Sequence, residues 1–165
     1  MCQSSVVDWL TRVCPEFGEL ELSEKREIRD FLLIWSFFEQ MCLQAQGGMP
    51  AVREFVQSLE APRLDGLDIC EYVTYFQNRY YEEGEPTHRY HHLHLERSGN
   101  PTEVDEMLCG ATQTKADTLI GCLGIVLRYR NNLFHGEKWA YHLHEQENNF
   151  RYSSALFQHI MDRVT

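Results

Sequence analysis

Between Leu127 and Trp139 the chain reads LRYRNNLFHGEKW, which gathers two arginines, two adjacent asparagines, a histidine and a lysine at the end of an apolar run. These residue types suit a phosphate. Arginine offers a planar fork of donors that matches phosphate oxygens. Asparagine amides can orient a sugar hydroxyl or an imidazole ring. Histidine takes or gives a proton near neutral pH. A ribose 2′-hydroxyl attacking its own phosphate needs only a base, an acid and a cation, with no metal. RNA cleavage is therefore the chemistry this segment suggests. Arg130, Asn131 and His135 are the catalytic candidates, and Arg128, Asn132 and Lys138 the candidate RNA contacts.

The rest of the chain must position that segment. It has 165 residues, 43% of them hydrophobic, and a formal net charge of -10. That is enough for one core, so residues 1–165 are read as a single domain. A pI near 5.2 excludes a general nucleic-acid coating protein but leaves room for a local cationic site. Cys2, Cys14, Cys42, Cys70, Cys109 and Cys122 are spread without a CxxC pair, which points to reduced thiols rather than a disulfide scaffold. The run FLLIWSFF is too short to span a bilayer, and the start of the chain lacks the basic and apolar regions of a secretory signal. A cytoplasmic protein with no membrane partner is the expectation.

Apolar residues recur at helical spacing in six places. A helix from Ser23, with Glu24 and Glu27 in its first turn, carries Ile28, Phe31, Leu32, Trp35, Phe38 and Cys42. Shorter stripes occupy 51–59 and 69–80. Asn100-Pro101 starts another helix, with Val104, Met107 and Leu108. The segment of interest ends a helix over 115–135, and a last helix covers 152–163. The expected fold is an all-α bundle of roughly five to six helices.

On a wheel, Leu119, Ile120, Cys122, Leu123, Val126, Leu127, Leu133 and Phe134 form the core side of the 115–135 helix. Asp117, Gly121, Gly124, Arg128, Asn131, Asn132 and His135 lie opposite. Two mid-helix glycines cost roughly 1 kcal/mol each relative to alanine, and such glycines usually admit another backbone. That backbone is either a neighbouring helix or a second copy of the protein. The polar remainder of the face favours the second copy, so Gly121 and Gly124 are the expected dimer contacts. Arg130 points about 140° away from His135, into the core side, and needs a carboxylate there. Glu39, the acid within the apolar run of the first long helix, is the candidate partner.

His88, His91, His92 and His94 make a second concentration of imidazoles. No Cys/His spacing of a zinc module accompanies them, so no metal and no cofactor is expected. Surface histidines are the simplest reading. An RNA path in which they stack on bases beside Arg89 and Tyr90 is the functional one.

The stretch RNNLFHG, Arg130 to Gly136, resembles the signature of HEPN domains, an arginine followed after four to six residues by a histidine. Arg130 to His135 fits the shorter spacing and Arg128 to His135 the longer. The detailed match covers only this stretch, while the remainder of the chain is similar in being helical. The resemblance implies a HEPN-like helical bundle that forms a homodimer, with two motifs facing one cleft. It implies a metal-independent endoribonuclease acting as a toxin or in antiviral defence on transfer or messenger RNA, leaving 2′,3′-cyclic phosphate ends. Some such proteins pair with an antitoxin or activator protein. The subgroup with tyrosine two residues after the histidine differs here, where Glu137 occupies that place. Other members are catalytically silent modules that bind RNA, nucleotides or partners, and this is the alternative reading.

Overall fold

The computed structural model describes residues 5–99, 101–134, 143 and 145–164. Among them the chain is all-α apart from one two-stranded hairpin. The six expected stripes form α3 (Leu22–Cys42), α4 (Met49–Ser58), α6 (Cys70–Tyr80), α8 (Thr102–Leu108), α9 (Lys115–Phe134) and α10 (Glu147–Val164). Short helices α1 (Val6–Val13), α2 (Pro15–Gly18), α5 (Ala61–Asp65) and α7 (His88–His91) lie between or before them. A 3₁₀ turn spans Leu95–Ser98, and β1 (Tyr81–Glu82) pairs with β2 (Glu85–Pro86). None of these helices is long and apolar enough to cross a membrane.

Local signals explain several boundaries. The cap of α3 is Glu21, in a capping box with Glu24, two residues before the expected Ser23. Between β1 and β2, Glu83 and Gly84 both take positive φ, 52° and 84°, the backbone that a tight hairpin turn requires. α8 is capped by Pro101, whose fixed φ suits a helix entry. Asn100, the expected cap, lies outside the described residues.

Packing runs from α3 onto α10. Phe31 packs tilted against Phe150 with ring centroids 4.9 Å apart, and Phe38 stacks on Phe157 at 4.3 Å. Trp35 meets the edge of Phe157 at 5.7 Å, and Phe38 that of Phe55 at 5.6 Å. Such pairs add about 0.5–1.5 kcal/mol each beyond burial.

α9 lies at the centre, and every residue from Leu119 to Tyr129 is buried. The helix is therefore enclosed on all sides rather than divided into a core face and a solvent face. The glycines explain how. A Cβ on Gly121 would collide with Glu103 O and Met107 Cβ, and one on Gly124 with Val104 Cγ2. Both notches are filled by α8 of the same chain. This corrects the expectation that Gly121 and Gly124 form a dimer contact, because the close approach is used up inside the fold.

Candidate functional site

The last two turns of α9 carry the motif residues up to Phe134. His135 and Lys138 lie outside the described residues, as do Gly136, Glu137 and Trp139. The described residues divide between two sides of the helix.

On one side, Arg128 is only 4% exposed. Its Nε donates to Leu93 O at 2.7 Å, its Nη1 to Ser98 Oγ at 2.8 Å and its Nη2 to Asn132 Oδ1 at 3.2 Å. Asn132, also buried, donates from Nδ2 to His92 O at 3.1 Å. Both side chains thus tie α9 to the histidine-rich segment 88–98. The expectation that Arg128 and Asn132 contact RNA directly is corrected. An arginine that has replaced its hydration shell with three protein acceptors would have to break them to meet a phosphate.

On the other side, Arg130 reaches α3. Its Nη2 lies 3.7 Å from Glu39 Oε1, which is the expected carboxylate. Its Nη1 donates to Asn131 Oδ1 at 3.0 Å. The guanidinium carbon sits 5.7 Å from the Trp35 ring centroid and 4.9 Å from that of Phe134. Two aromatic faces therefore hold the cation, an arrangement that guanidinium planarity favours. Glu39 is held in turn by the Trp35 indole, which donates to Oε2 at 3.2 Å. Arg130 Nε is buried and has no hydrogen-bond partner. This leaves the site with a cation held beside two rings and a carboxylate, its buried Nε without a hydrogen-bond partner.

Sequence reasoning misses Trp35, Phe134 and Gly47 at this site. By its spacing Trp35 belongs to core packing, and it is 3% exposed, yet one face of its ring also carries Arg130. The four-residue step from Trp35 to Glu39 on one helix is the available signal. Gly47 reads in the sequence as part of a helix stop. A Cβ there would collide with Glu39 Oε1, so the loop after α3 lies directly against the carboxylate. The positive φ values of Gln44 and Ala45, 52° and 60°, turn the chain into that path.

A further polar network holds the chain around and beyond the motif helix. Tyr80 and Tyr129 hydroxyls meet at 2.6 Å, Tyr129 donates to Asn149 Oδ1 at 3.2 Å, and Tyr75 donates to the same oxygen at 2.6 Å. Asn149 Nδ2 donates to Gln146 Oε1 at 2.6 Å. Burial pushes the Tyr80 hydroxyl up to about 12 and raises those of Tyr129 and Tyr75 in the same direction. From α6 and α7, Arg79 donates to Glu145 O at 3.1 Å and Arg89 pairs with the Glu145 carboxylate at 3.2 Å. The chain is thus anchored on both sides of 135–142.

No group of three or more His, Cys, Asp or Glu residues is arranged to hold a metal among the described residues. No family model matches the chain, and neither a curated protein nor a solved structure matches it.

Proposed function

We propose that this chain is a HEPN-type endoribonuclease that cuts RNA by attack of the ribose 2′-oxygen on the adjacent phosphorus. The observation that carries the reading is Arg130 itself. Its guanidinium is held between Trp35 and Phe134, tethered to Glu39 and Asn131, and keeps Nε without a partner. A cation ordered before the substrate arrives stabilises developing phosphate charge without reorganising, which is where such groups act most strongly. It stands at the start of the Arg130–His135 motif.

In this scheme an imidazole removes the 2′-hydroxyl proton as the O2′–P bond forms and the P–O5′ bond breaks. A second imidazole gives a proton to the departing O5′, leaving a 2′,3′-cyclic phosphate and a 5′-hydroxyl. His135 of two copies supplies the two imidazoles, so the proposed active form is a homodimer. The glycine face of α9 is occupied by α8, and the second copy therefore approaches elsewhere. Asn131 orients the guanidinium through its amide oxygen. Lys138 adds affinity for RNA.

The alternative is a catalytically silent module that binds a partner or nucleotide. One observation favours it: Arg128 and Asn132 spend their donors inside the fold, and Arg130 already has an ionic partner. Purified protein incubated with total RNA in excess EDTA separates the two, with wild type beside His135→Ala. The ribonuclease reading expects cutting with cyclic-phosphate ends that His135→Ala abolishes. No cutting by either protein would favour the silent module, and equal cutting by both would mean a contaminating nuclease or a misplaced active site.

A further inference from the structure

Beyond Phe31, α3 carries little charge. In a chain of net charge -10, only Glu39 is charged between Phe31 and Gln46, and it is turned toward Arg130. The inner side of the helix buries Phe31, Trp35, Phe38 and Cys42 in the core. The outer side presents Leu33, Phe37 and Met41, which remain 66%, 54% and 53% exposed. Their four-residue spacing sets them one above another as a ridge, with the exposed, uncharged Ser36 and Gln40 beside it. Single exposed apolar residues are ordinary, but a contiguous apolar row on one helix is the kind of patch that a partner covers.

Shape and charge select the occupant. A membrane surface fits poorly, because helices that lie on an anionic bilayer border their apolar face with cations, where this ridge is bordered by Ser36 and Gln40. A second copy of the chain fits on three counts. A ridge on one helix matches itself when two copies cross antiparallel about a twofold axis at Phe37, so that Leu33 of each copy meets Met41 of the other. The two ends of the ridge also differ in charge. Arg26 and Arg29 precede it on α3, while Glu54 and Glu60 line the groove that continues past Met41 between α3, α4 and α5. Antiparallel crossing brings those unlike ends together. The arginines pair at present with their chain neighbours Glu27 and Asp30, contacts weak enough to yield. A standard interface draws on about 20–30 residues from each side, so the ridge is its centre, and the groove, with Phe55 and Leu59 in its lining, extends it.

We infer that two copies of this chain associate through the outer face of α3, with Phe37 on the twofold axis and Leu33 and Met41 to either side. Trp35 and Glu39, which hold Arg130, lie about 160° around the helix from Phe37. The contact therefore leaves the Arg130 site uncovered and is separate from any cleft that two motifs share. It rests on the surface of α3 and not on the ribonuclease reading.

The test is sedimentation equilibrium over a range of protein concentrations, comparing wild type with Phe37→Glu, Phe37→Leu and Trp9→Ser. Thermal melting checks each fold, which a change at the exposed Phe37 should leave intact. Trp9 stands for the rival surface, since α1 exposes Val6, Trp9 and Val13. Phe37→Glu should sediment at half the mass of wild type, with the dissociation constant raised roughly 30-fold or more, because it sets two carboxylates against each other at the centre of an apolar contact. Phe37→Leu and Trp9→Ser should stay within a few-fold of wild type. A wild type that is monomeric throughout would overturn the inference. Association that survives Phe37→Glu but is lost in Trp9→Ser would overturn it too, by moving the contact to α1. RNA cleavage by the same samples keeps the two readings apart. An associating protein that cuts no RNA supports the contact and counts against the ribonuclease alone, whereas a monomer that cuts RNA removes the contact and keeps the cleavage.

Discussion

Arg128 and Arg130 lie two residues apart on α9, about 200° around the helix from one another. Arg128 is 4% exposed and has a hydrogen bond on each of its three nitrogens. The Arg130 side chain is 26% exposed, faces a carboxylate at 3.7 Å and leaves Nε without a partner. The difference comes from what each side of the helix meets. The 92–98 loop presents carbonyl and hydroxyl oxygens in hydrogen-bonding geometry, whereas α3 presents an indole ring and a single carboxylate. A buried arginine bonded through each of its three nitrogens is part of the scaffold. Arg130, over two rings and partly exposed, is the one of the two that the proposed ribonuclease would turn to an anion.

Three experiments can break or sharpen that contrast. The largest effect belongs to Arg130→Ala, which should reduce RNA cleavage by roughly 10²–10³-fold, the typical cost of losing one preorganised charge-stabilising donor. Its urea midpoint should move little, because the lost ion pair is partly exposed. Arg130→Lys should not restore activity, since an ammonium lacks the planar fork of donors that the guanidinium holds over these rings. Cleavage that survives Arg130→Ala would erase the distinction between the two arginines.

Next comes Arg128→Ala, measured by equilibrium urea unfolding. It strips partners from Leu93 O, Ser98 and Asn132 and leaves a cavity beside them, so a loss of about 2–4 kcal/mol is expected. A change within about 0.5 kcal/mol would mean that the clamp is not holding the loop.

The third test concerns Tyr129, which lies between the two arginines and belongs to a network as complete as that of Arg128. Burial holds the Tyr80 hydroxyl up to about 12 and raises its neighbours in the same direction, so the folded state keeps these protons after an unfolded chain has lost them. The associated stability is fully present below pH 10 and falls as pH rises toward 12, by on the order of 3 kcal/mol for Tyr80 alone. Melting between pH 9 and pH 11.5 should show the decline, and Tyr80→Phe should flatten it. An unchanged slope in that variant would place the titration elsewhere.

Much of the fold was legible because its stabilisation is apolar and periodic. The stripes through Phe31, Phe76 and Phe157 each mark a helix that buries them. What escaped was held by other means. α1 has no buried residue and starts from a Ser5–Asp8 capping box, so an argument from core stripes passes over it. α10 begins at Glu147, before the expected start at 152, because Phe150 packs on Phe31 and Asn149 is buried through hydrogen bonds. The hairpin strands of Tyr81–Glu82 and Glu85–Pro86 are too short to show a period.

At the candidate site, residue types alone pointed to the Glu39–Arg130 pairing, since an arginine turned inward needs a carboxylate. The inward turn of Arg128 was not legible. Its acceptors are mainly the backbone oxygen of Leu93 and a hydroxyl on a loop, and no side-chain type announces where a carbonyl will point. The glycines of α9 announced a close neighbour but not which one, and that choice depended on where α8 docks.

The seat of Arg130 also has a bearing on the order in which the candidate site is assembled. Glu39 and Trp35 lie about ninety residues before Arg130 in the chain, and Phe134 comes one helical turn after it. Translation can complete the RNNLFHG stretch while α3 is still undocked, and the guanidinium then has one ring beside it and no carboxylate. Contacts of such long sequence separation form only after the intervening chain has closed. The cradle is therefore completed late: an incompletely folded copy carries the motif without the Trp35 and Glu39 contacts around Arg130.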